Sequence, residues 1–116
     1  MNKHLTALAE FTTRLIEAGA TGPGDSIPDT ATQLYTIAQR MTQRNLRACN
    51  VGLTARQEAA DGKDEATVRD LVNAIGLDPA IVKFNSDPRG YAVKFRLPNG
   101  RYNSWGGQSE GWGIPA

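Results

Sequence analysis

Apolar residues recur at helical spacing through most of the chain and switch to strict alternation near its end. Leu5, Leu8, Phe11, Leu15 and Ile16 fall on one side of a helical wheel, which predicts a first helix over residues 3–18, stopped at Gly19. The Gly, Pro and Asp content of residues 19–28 predicts a loop, with Asp29 or Thr30 capping a second helix. Leu34, Ile37, Ala38, Met41, Ala48 and Cys49 line one face of that helix to about residue 50. Arg40, Arg44 and Arg47 line another face at i, i+4 and i+7 and give it a basic edge. Thr54, followed three residues later by Gln57, forms a capping box and predicts a third helix directly after Gly52. Val68, Leu71, Val72 and Ile75 make its inward stripe, and Gly76 closes it. Upstream, Asp61, Gly62 and Asp64 lie on or near that same side, so a kink or break is expected near Gly62.

After Asp78-Pro79 the period becomes two. Residues 81–85 read as a strand, and Tyr91, Val93, Phe95 and Leu97 alternate with Ala92, Lys94 and Arg96 in the clearest strand of the chain. Asp87-Pro88-Arg89-Gly90 is a turn signal, and Pro98-Asn99-Gly100 reads as a hairpin loop leading to a third strand over residues 101–105. Three strands need a partner for their apolar face. The expected architecture is therefore α+β, with N-terminal helices (about residues 3–76) packed on a small C-terminal three-stranded antiparallel sheet and tail (about residues 80–116).

Length and charge narrow the picture. A chain of 116 residues is one domain with one modest core. Thirteen Lys and Arg against twelve Asp and Glu leave a formal charge of +1, so any anion binding must come from a local patch. The lone Cys49 forms no internal disulfide and points to a reducing compartment. The first residues lack the unbroken apolar run of a signal peptide or membrane helix, and the expected location is the cytoplasm, with no membrane partner.

Few residues offer catalytic chemistry. The single histidine, His4, stands near the N-terminus, away from any nucleophile that it could activate, and Cys49 sits on the inward face of its helix. Asp61, Asp64 and Glu65 have the composition of a hard-cation site, but three carboxylates on a helix read first as a solvated face. No phosphate loop, dinucleotide fingerprint or zinc spacing is present. An enzyme is not expected, nor a metal or other cofactor. The candidate binding residues are instead Arg40, Arg44 and Arg47 on the second helix, Lys94, Arg96 and Arg101 around the sheet, Arg89 at a turn, and Trp105 and Trp112 in the glycine-rich tail. Arginine and tryptophan dominate protein interfaces, and the same cations can contact phosphates while an aromatic ring stacks on a base.

The strings ACNVGLTARQE (residues 48–58), DPRGYAVKFRLPNGRYNSWGG (87–107) and WGIP (112–115) together resemble a group of small phage and prophage proteins. The likeness begins at about residue 48 and excludes the first 28 residues. It implies context more than chemistry: small phage accessory proteins often act by binding, to blunt host defences or redirect host machinery. The leading expectation is stoichiometric binding to a host protein, as anti-CRISPR proteins do. A nucleic-acid-binding accessory protein using the same basic residues is the alternative, and a protein that binds nucleotide signals is a third class. Assembly into a homo-oligomer stays open.

Overall fold

Three helices precede a small antiparallel sheet in the computed structural model, which describes residues 3–48, 51–87, 91–96 and 112–113. The elements are α1 (Lys3–Glu17), α2 (Ser26–Arg47), α3 (Ala55–Ala74), a 3-10 turn (Pro79–Ile81), β1 (Val82–Asp87) and β2 (Tyr91–Phe95). The fold is thus α+β, helices first and sheet last.

α1 buries Phe11 and Leu15 completely and packs Leu8 against the core. Leu5 and Ile16, expected on the inward stripe, are 62% and 53% exposed. They flank a seam that faces α2 and one ring of the sheet, and that seam is narrower than the apolar arc of the helix. α2 begins at Ser26 and not at residue 29 or 30, because Pro28 sits in the first turn, where its missing N–H is not required. The Asp29 N–H already donates to the Asp25 carbonyl at 3.1 Å. Its apolar face contributes Leu34, Ile37, Ala38 and Met41 to the core, and Ala48 just beyond its end is also buried. Cys49 lies outside the described residues.

α3 starts where the capping box places it: the Thr54 hydroxyl accepts from the Gln57 N–H at 3.2 Å, and the Gln57 side chain accepts from the Thr54 N–H at 2.8 Å. It then runs unbroken through Gly62, so the expected kink is absent. The polar half of its inner side is matched by cations on α2, which removes the reason for the helix to bend. Val68, Val72 and Ile75 are buried on the same side. Gly76 ends the helix at φ +80°, a conformation that favours glycine, and a Cβ there would stand 2.9 Å from the Thr21 hydroxyl. The neighbouring Thr21 N–H donates to the Ile75 carbonyl at 2.8 Å, which ties the α1–α2 loop to the end of α3.

β1 and β2 pair antiparallel, with Val82 opposite Phe95, Lys83 opposite Lys94 and Phe84 opposite Val93, and an irregularity between Phe84 and Asp87. The alternation read from the sequence holds: Val82, Val93 and Phe95 are buried, while Lys83 and Arg96 are exposed. The Phe95 ring meets Phe11 of α1 with centroids 4.7 Å apart, at a tilt of 50°. Trp112 and Gly113 run antiparallel beside Phe95 and Lys94. The turn at Pro88-Arg89-Gly90 and the strand expected over residues 101–105 lie outside the described residues.

Candidate functional site

The basic edge of α2 faces α3, and its first two arginines are ion-paired there. Arg40 and Arg44 stand one turn apart, and Asp61 and Asp64 present their carboxylates from α3 at matching height. Arg40 grips Asp64 with two bonds, from Nη2 to Oδ1 at 2.7 Å and from Nε to Oδ2 at 3.3 Å. Arg44 forks between both acids, donating from Nη2 to Asp64 Oδ2 at 3.0 Å and from Nη1 to Asp61 Oδ1. Asn45 completes the cluster, its amide donating to Asp61 Oδ2 at 3.2 Å and to the Met41 carbonyl at 2.9 Å.

The members of this cluster differ in burial. The Arg44, Asp61 and Asp64 side chains are 14%, 16% and 11% exposed, whereas Arg40 is 53% exposed. Burial alone would raise the Asp64 pKa, but the hydrogen bonds and charges of Arg40 and Arg44 outweigh it and hold the carboxyl below its ordinary value. For Arg44, burial favours the neutral form, and the bonds and charges of Asp61 and Asp64 overcome that and raise its pKa. Arg44 and Asp64 are therefore both ionised near neutral pH.

This arrangement answers both readings of the acidic triplet. Asp61 and Asp64 are not a solvated face, since they are turned to α2, and their oxygens hold guanidinium groups in the place a cation would need. Among the described residues, no group of three His, Cys, Asp or Glu side chains is arranged to hold a metal ion. The sequence carried part of the signal, an arginine row beside the apolar face of α2 and acidic residues on or near the inward side of α3. Asn45 carried no such signal.

Of the other candidates, Arg47 is exposed at the end of α2. Lys94 and Arg96 lie on the outer face of the sheet, where Lys83 stands directly opposite Lys94. This places two like charges in direct cross-strand register. Arg89, Arg101 and Trp105 lie outside the described residues, and Trp112 is placed only as backbone beside Phe95. The structure thus separates α2 from the sheet: Arg40 and Arg44 form one cluster with α3, and Lys94 and Arg96 belong to another surface.

A third feature was not read from the sequence. Arg69 of α3 lays its guanidinium 4.8 Å from the centroid of the Phe84 ring, a cation–π contact. The two residues wall an open groove of about 490 Å³ between α3, the 3-10 turn and β1, lined also by Glu65, Pro79 and Lys83.

In comparison with known proteins, the chain matches no family model, no curated protein and no solved structure. Among the described residues, no helix is long and apolar enough to cross a membrane.

Proposed function

We propose that this is a non-enzymatic accessory protein of a phage or prophage that acts by stoichiometric binding to a host protein, in the manner of small anti-defence proteins such as anti-CRISPRs. The contact surface in this reading is the basic outer face of the sheet, with Lys83, Lys94 and Arg96, together with the C-terminal residues Trp105 and Trp112. Trp112 and Gly113 serve as its third strand.

One observation carries the choice of protein over nucleic acid. Arg40 and Arg44, two of the three residues in the row of cations on α2, are engaged by Asp61 and Asp64. A phosphate backbone would have to displace carboxylates already held by bidentate and forked bonds, and it would meet a protein of net charge +1. Arg96 on the sheet face, and Trp105 and Trp112 in the C-terminal segment, are of the residue types enriched at protein interfaces.

The test is capture of the tagged protein's partners from an infected or lysogenic host lysate, with and without nuclease. A host protein retained in stoichiometric amount after nuclease treatment, and lost from a Lys94→Glu/Arg96→Glu variant, is the expected result. Recovery that disappears with nuclease would reject the reading in favour of nucleic acid.

A further inference from the structure

The groove beside β1 has one wall that is an edge of the sheet formed by the described strands. The Arg96 N–H donates to the Ile81 carbonyl at 2.7 Å, so these two residues form a hydrogen-bonded pair. Antiparallel alternation then directs the backbone of Lys83 toward β2 and that of Val82 and Phe84 away from it. The Val82 N–H is taken by the Pro79 carbonyl. The Val82 carbonyl and the Phe84 N–H and carbonyl face the groove, and among the described residues no strand pairs with this side of β1. Such an edge is a template for an added strand.

Resting on the protein-binding reading, we infer that β1 accepts a short extended acidic segment of the partner as an added strand, laid in the groove between β1 and α3. The hydrogen-bond groups at the edge call for an extended backbone, and main-chain bonds supply the affinity in this mode of recognition. The charge of the walls selects the side chains: Arg69 and Lys83 outnumber Glu65, and Arg69 is held in place over Phe84. A second copy of the chain is a poor occupant. An exposed lysine in an edge strand opposes self-pairing, and the irregularity after Phe84 limits the regular edge to a few residues.

The experiment selects from a bead-displayed library of peptides about eight residues long. β-Branched residues alternate with Asp or Glu in one pool and with Lys in the other. Acidic peptides should be enriched over basic ones, and the selected peptide should shift the amide resonances of Val82, Phe84 and Arg69. N-Methylation at alternate amides on the pairing side should weaken binding by about tenfold or more, because each methyl group removes a main-chain donor. A correctly folded Arg69→Glu/Lys83→Glu variant should prefer the basic pool. No enrichment of acidic peptides, or affinity that survives methylation of each of the two alternate sets in turn, would overturn the inference. The two levels separate cleanly. A host protein captured equally by wild type and Arg69→Glu/Lys83→Glu would leave the protein-binding reading standing and reject strand addition. Failure to capture any host protein, with peptide addition intact, would count against the host-partner reading alone.

Discussion

Phe95→Ala is expected to cost about 3–5 kcal/mol of folding stability, the range for deleting a fully buried aromatic ring. The ring is 0% exposed, and it stacks at an angle on Phe11, which is also 0% exposed. It therefore joins the sheet to the first helix, and its loss opens a cavity with α1 on one side and β2 on the other. The Phe95 backbone also runs antiparallel beside Trp112, so removal of the ring should loosen that pairing as well. Urea titration followed by circular dichroism and tryptophan fluorescence measures both effects. A loss below about 1 kcal/mol would mean that the helices and the sheet do not share one core.

Arg44→Ala is expected to cost about 3 kcal/mol, and Arg40→Ala less than about 1 kcal/mol, although both arginines bond to Asp64. The difference follows from burial. Arg44 is 14% exposed, and its removal leaves Asp61 and Asp64 partly buried without their shared counter-ion. Arg40 is 53% exposed, and water can replace its bonds. The same cluster sets a pH dependence. The Asp64 pKa is lower in the folded protein than in the unfolded chain, so the unfolded chain binds the proton first as pH falls. The stability it contributes is complete above about pH 4 and is lost as pH drops below that through the lower folded-state value. Asp64→Asn should be less stable at neutral pH and should flatten this acid limb. An unchanged limb in that variant would remove Asp64 as its source.

Much of the fold is legible in the chain because local signals agree with packing. The Thr54–Gln57 capping box, the Val68–Val72–Ile75 stripe and the alternation through Val93 and Phe95 each specify one element, and each is where the pattern puts it. The discrepancies have a common cause, which is that a helical wheel does not say what lies opposite. Leu5 and Ile16 look inward on the wheel, but they flank the seam and stay more than half exposed among the described residues. Asp61 and Asp64 look misplaced on the inner side of α3 until Arg40 and Arg44 are seen opposite them. The same blindness made the arginine row look like a free basic edge. The groove was illegible for another reason: Arg69, Pro79 and Phe84 belong to three elements whose meeting depends on the turn after Gly76.

The central claim is that Arg40 and Arg44 of α2 are structural and that the protein binds through another surface. Titrating the intact protein with labelled single- and double-stranded DNA and RNA at low salt, with wild type beside Arg40→Ala/Arg47→Ala, tests it most directly. The account predicts no saturable binding by either protein. Saturable wild-type binding would contradict it if the slope of log affinity against log salt fell by about two in the double variant, one released counterion for each lost phosphate contact.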